Sequence, residues 1–132
     1  MIWPHRDDEL QLFFNHMNTC TEHISFTTET SHSGIAFLDT LVKLVDGIIT
    51  TDLYSKPTDS HNYPYYNSAH PQRCKDSIPY SQFQRSRRIS SNNKDFDKHV
   101  IILAGHFLRG KYPIDLSKDA AIIVRCKGSE ST

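Results

Sequence analysis

Apolar residues recur at Leu10, Phe13, Phe14 and Met17, the i, i+3, i+4, i+7 spacing of one helix face, directly after an acidic run at Asp7, Asp8 and Glu9. That pattern predicts an amphipathic helix over residues 6–18. The next segment alternates, with Ile24, Phe26 and Thr28 on one side, as a strand would. Two β-prone runs then flank Asp46-Gly47 within residues 34–54, and this dipeptide suits a type I′ hairpin turn because it tolerates two consecutive positive φ values. Pro57, Pro64, Pro71 and Pro79 each remove a backbone donor and disfavour helix at the preceding residue, so residues 57–79 read as an irregular connector.

Helical spacing returns after the connector. Residues 80–92 predict a short helix with Ser81 as cap and Ser91-Asn92-Asn93 as its end. Residues 93–113 predict a longer one, with Phe96, Val100, Leu103 and Phe107 along one stripe, Gly110 as the stop and Pro113 beyond it. A third helix over residues 115–127 would bury Leu116, Ala120 and Ile123, and residues 128–132 should fray. The sum is an α+β chain in three parts: an N-terminal helix and small antiparallel sheet with a β-hairpin (1–56), a proline- and tyrosine-rich connector (57–79), and a C-terminal helical bundle (80–127).

Charge changes the picture. The net charge is zero over 132 residues, but it sums unlike halves. Up to Pro71 three cations face nine acids, whereas from residue 72 to 111 nine cations face three acids. Such asymmetry points to a polyanion-binding half. Arg73, Lys75, Arg85, Arg87 and Arg88 are the candidate contacts, with Tyr80 beside them, since guanidinium groups chelate phosphate oxygens and tyrosine rings pack on sugars or bases. The competing reading is a solvated helix face beside tyrosines that merely cover a core.

Other chemistry is thin. Asp7-Asp8 opens a helix and does not sit on a turn between strands, so it does not read as a metal-binding carboxylate pair. His61, His70 and Cys74 lack a fourth ligand at structural zinc spacing. We expect no catalytic residues, no cofactor, no metal and no small-molecule substrate. Cys20, Cys74 and Cys126 are odd in number and widely spaced, which suggests reduced thiols inside a cell. No apolar run has the length of a membrane span and the N-terminus has no signal-peptide character, so no membrane partner is expected.

The order of the segments "IWPHRDDELQLFFNHMN", "ISFTTET", "IAFLDTLVKLVDG", "TTDLYSKPTDSHNYPYYNSAHP", "CKDSIPYSQFQRSRRI" and "DFDKHVIILAGHFLRGKYP" resembles the reverse transcriptases of Penelope-like retroelements, over residues 2–124. Residues 58–113 are also similar to the segment known in animal proteins as a helix-turn-helix domain. The resemblance implies that residues 7–30 are the end of a polymerase palm, that the hairpin supports a primer end, and that the helices beyond Pro79 form the thumb on a template–primer duplex of RNA or DNA. It places the catalytic Tyr-x-Asp-Asp turn upstream of Ile2, in the missing palm and fingers, so this chain should bind without polymerising. The family pattern often has cysteine where this chain has Ala69 and Ser90. A nuclear location follows if the parent element's role is kept. A sequence-specific helix-turn-helix regulator is one alternative; a non-functional relic or a protein-interaction module is another.

Overall fold

A computed structural model describes residues 1–129. The elements run α1 (Asp7–Thr19), β1 (Gly34–Phe37), β2 (Thr40–Val45), β3 (Ile48–Leu53), α2 (Gln72–Ile89), α3 (Asn93–Arg109) and α4 (Ile114–Ser129). They form the expected α+β order of helix, antiparallel sheet and helical bundle. Two compact units are distinct, Met1–Ser31 and a larger one that begins at His32.

In the first unit α1 carries Asp7, Asp8 and Glu9 in its opening turn, where they complement the helix dipole. None of its residues is buried. Trp3 packs on Phe13, and Phe13 on Phe14, with ring centroids 5.5 and 5.6 Å apart. The strand expected around Ile24–Thr28 does not form. Instead Asn18 takes the part of a neighbouring strand: its side-chain nitrogen donates to Phe26 O at 3.2 Å while Phe26 N donates to its Oδ1 at 2.6 Å. One side-chain amide satisfies one residue, and the alternating pattern has no second backbone to pair with.

The second unit begins with a three-stranded sheet in the order β1-β2-β3. Asp46 and Gly47 turn the β2–β3 hairpin with φ of 51° and 78°, as expected of a type I′ turn. A further hairpin precedes it, pairing Phe37 with Thr40 across Leu38-Asp39. Leu38 has φ 57°, a strained setting for a bulky side chain, which is why the residues gave no turn signal there. The Asp46-Gly47 end of the sheet is open, with Leu44, Val45, Ile48 and Ile49 exposed, and Phe37 is exposed beside the β1–β2 turn.

The helical bundle differs from expectation at its entrance. α2 starts at Gln72, eight residues before Tyr80, and runs straight through Pro79. Internal proline costs about 3 kcal/mol in an isolated helix. Here the Pro79 ring is fully buried beside Phe83 in the helix's inner face, so tertiary packing overrides the local penalty. α4 meets the core with Leu116 and Ala120 as expected, but its third apolar contact is shifted by one residue. It buries Ser117, Ala120 and Val124, leaving Ile123 exposed. α4 continues through Gly128 and Ser129; the rest of the expected frayed tail, residues 130–132, lies outside the described residues.

The core is aromatic. Phe107 on α3 meets Tyr63, Phe83 and Tyr112 with centroids 5.1, 5.6 and 5.5 Å away. Phe96, Leu103, Ala120 and Val124 complete it. The connector, residues 54–71, is laid over this core by its tyrosines. Tyr63 donates to Gln82 Oε1 at 3.2 Å, Tyr66 donates to Asp76 Oδ1 at 2.9 Å, and Tyr112 returns a bond to Pro64 O at 2.8 Å. Those rings are cover for the core, as the competing sequence reading had it.

The sheet is tied to the helices through β3. Thr51 Oγ1 donates to Ile89 O at 2.6 Å, and Ser91 N donates to Thr51 O at 2.9 Å. Buried Asp52 accepts from Lys43 Nζ at 2.9 Å and from His99 Nε2 at 2.7 Å. Burial pushes the Asp52 carboxyl up, but the bonds from Lys43 and His99 outweigh it and hold the group below its ordinary value.

Two predictions follow from this packing. Phe107→Ala should cost about 3–5 kcal/mol in chemical denaturation, because it opens a cavity among Tyr63, Phe83 and Tyr112. Asp52→Asn should cost about 1–3 kcal/mol at neutral pH, the range for a lost charged hydrogen bond. Because folding lowers the Asp52 pKa, its contribution is complete above about pH 4 and is lost as the pH falls through the lower folded value. The parent and the Asn variant should therefore converge in stability in acid; a gap that stayed constant down to the acid limb would remove the electrostatic explanation.

Candidate nucleic-acid interface

At about 100° per residue, a helix of 18 residues has a definite inside and outside. The inner stripe of α2 is Lys75, Pro79, Phe83 and Ser86, all buried. Arg88 falls almost opposite that stripe. Arg73 and Arg85 lie about 60° to either side of Arg88, and Arg73 and Arg88 are separated by about 22 Å along the axis. All three are exposed. The residues expected to touch nucleic acid are thus divided by helical phase.

Lys75 falls on the wrong side. It is 5% exposed, donates through Nζ to Ser68 O at 2.8 Å and lies 5.6 Å from the Tyr66 ring centre. Its charge holds the connector and is not presented to a partner. Arg87 stands at the edge of the face, half-buried, its guanidinium 5.5 Å from the Phe96 ring centre. Tyr80 is half-buried against the core and its hydroxyl accepts from Lys127 Nζ at 3.3 Å. Neither Arg73 nor Arg88 makes an ion pair among the described residues.

Arg85 has a partner that spacing alone did not reveal. Its Nε and Nη2 donate to one oxygen of Asp39, at 3.1 and 2.7 Å, across 46 residues of sequence. The hydrogen bonds from Arg85 hold the Asp39 carboxyl below its ordinary value. Both groups are about half exposed, so the pair orients Arg85 more than it stabilises the fold. Asp39 sits in the β1–β2 turn and screens one end of the basic face.

His61 and His70, weighed as metal ligands, have local partners. His61 pairs with Asp59 at 2.9 Å and stacks edge-on against His106, while His70 shares a hydrogen bond with Ser68 at 3.0 Å. Among the described residues no three His, Cys, Asp or Glu side chains converge on one point. Among the described residues no helix is long and apolar enough to cross a membrane.

α2 and α3 meet through the short turn 90–92, and α3 and α4 through 110–113. Residues 62–121, which take in the end of the connector, α2, α3 and the first half of α4, match the family described as the animal helix-turn-helix domain. No curated protein and no solved structure matches the chain. The bundle therefore contains a helix-turn-helix region, and the basic face of α2 belongs to it.

Asp39→Asn should release Arg85 and raise affinity for duplex nucleic acid by roughly twofold to fivefold at low salt, since an exposed ion pair competes only weakly. Fluorescence anisotropy titrations of parent and variant measure this, and an unchanged affinity would mean that Arg85 does not reach the ligand.

Proposed function

We propose that the helix-turn-helix region binds duplex nucleic acid through its phosphate backbone, with the outer face of α2 along the strand. The observation that carries this reading is the placement of exposed Arg73, Arg85 and Arg88 on the face opposite the buried stripe of α2. From residue 72 to 129 twelve cations outnumber five acids, so the surrounding field favours a polyanion. Phosphate contacts position a protein without reading sequence. The first turn of α3, where a recognition helix would present base-reading groups, offers Asn93 and Lys94 beside Asp95, with Asp97 close behind. Such a mixed set favours weak, sequence-tolerant binding, with a dissociation constant of about 10⁻⁴–10⁻⁶ M at physiological salt.

A finer reading makes these helices the thumb of a Penelope-like reverse transcriptase, gripping a template–primer duplex whose palm and fingers come from elsewhere in the polymerase. Its support is the order of motifs over residues 2–124, which extends well beyond the span that matches the helix-turn-helix family. On this reading the 132 residues bind and do not polymerise, because they include no Tyr-x-Asp-Asp turn. A sequence-specific regulator is the other reading consistent with the same helices.

The triple variant Arg73→Ala, Arg85→Ala, Arg88→Ala should lose most duplex binding and flatten the slope of log K against log salt by about 2–3, one phosphate contact per arginine. Its melting temperature should stay near that of the parent, since these side chains are exposed. Equal competition by a random DNA duplex and an RNA–DNA hybrid fits the thumb reading; a random duplex that fails to compete against a selected sequence would instead establish a regulator. Full binding by the triple variant would sink the interface itself.

A further inference from the structure

Where the last turns of α2 and α4 come together they enclose an open cleft of about 400 Å³. Its walls carry Arg87, Arg88 and Lys127, with Tyr80, Ser90 and Gly128 between them. Among the described residues no carboxylate lines it. Ser90, on the floor, is 5% exposed and its Oγ has no hydrogen-bond partner. Gly128 lets the Arg87 guanidinium lie across α4: a Cβ there would collide with Arg87 Nε. Lys127 Nζ is steadied by the Tyr80 ring, 5.7 Å from its centre, and by the Tyr80 hydroxyl. Two of its three N–H groups are left for another partner.

Basic residues in a last helical turn are what the helix dipole alone favours. The dipole does not account for the concavity, the unpartnered Ser90 or the glycine that seats Arg87. The charges also balance. Two helix C-termini supply roughly −0.5 each against three unit cations, leaving about +2 in the cleft. A phosphate monoester carries about −1.5 to −2 at neutral pH, whereas each backbone diester carries only −1.

We propose that this cleft is a seat for a phosphate monoester, the group found at a strand end or on a small phosphorylated molecule, adjoining through Arg88 the outer face of α2 that tracks diester backbone. Arg87 and Arg88 chelate its oxygens, and Lys127 neutralises it from the α4 side. The seat itself follows from the packing of α2 on α4. Its use for strand ends rests on the nucleic-acid reading above.

The test uses the full chain in two arms. In the first, inorganic phosphate is titrated at constant ionic strength against chloride while the Arg side-chain Nε–H signals are followed by NMR; saturable shifts of Arg87 and Arg88 are expected. In the second, duplexes ending in 5′-phosphate, 3′-phosphate or hydroxyl only are compared by anisotropy. At least one phosphate-ended duplex should bind about tenfold more tightly, the scale of one to two charged hydrogen bonds. Lys127→Gln should abolish both responses and leave the hydroxyl-ended duplex bound as before. Gly128→Ala, which displaces Arg87 while favouring helix, should do the same, so a folding defect cannot stand in for the result. Phosphate-induced shifts without any duplex binding would keep the seat, assign it to a small phosphorylated molecule and remove the nucleic-acid reading. No saturable shift and no preference among the ends would overturn the proposal.

Discussion

Phe107 is the residue on which the helical bundle closes. Its ring stacks at once against α2 through Phe83, against the connector through Tyr63 and against the turn after α3 through Tyr112. The connector has no secondary structure with which to satisfy its backbone, and it stays in place because the aromatic cluster gives its tyrosines a surface and their hydroxyls partners on α2. Tyr112, under Gly110 and beside Tyr66, also fixes how α3 ends and α4 begins. The turn that completes the bundle is thereby set by the same cluster. An aromatic core of this kind combines a large buried area with directional ring contacts, which suits a unit whose helices are few and whose connector is irregular.

Once the core is closed, the sheet determines which surface of α2 is left to solvent. Thr51 is bonded to Ile89 and Ser91, and Asp52 to His99, so β3 lies against the junction of α2 and α3. The β1–β2 turn then brings Asp39 to Arg85. A carboxylate at that point narrows the basic face and would compete with a phosphate for Arg85. It also gives Arg85 a fixed direction, which reduces the conformational entropy lost when a phosphate is bound. The hairpin is therefore both brake and guide for the end of the basic helix.

Features written into a single short segment were legible in the sequence. Asp46-Gly47 turned the hairpin because the positive φ pair needed there has a residue signature, and the Phe96–Phe107 stripe marked the inner face of α3 because its period matched the helix. Features decided by distant neighbours were not. Pro79 concealed the first two turns of α2, since its local cost was visible and its burial was not. The Leu38-Asp39 turn carried no glycine, and Ile123 was assigned to the inner face of α4 because it is apolar, yet it is exposed. Among the candidate site residues, arginine content pointed to α2, while helical phase, available from the same spacing, would have turned Lys75 inward. The Asp39 partner of Arg85 and the Lys127 side of the cleft lie 46 and 47 residues away from their contacts, and no local pattern encodes them.

The cations of α2 end up with different work because a helix presents each position in a different direction. Lys75 faces inward and fastens the connector; Arg87 lies along the edge, flattened between Phe96 and Gly128; Arg73, Arg85 and Arg88 face out. A run of basic residues on one helix is therefore a poor count of phosphate contacts. Counterion release scales only with charges that actually meet phosphate, so the salt dependence should reflect the outward three and not all five. Arg88 belongs to both the outer face and the rim of the α2–α4 cleft, which makes it the one side chain able to couple a bound backbone to an occupied cleft. If both are filled together, Arg88 can serve only one geometry at a time, and the coupling between them should be weak or negative, not cooperative.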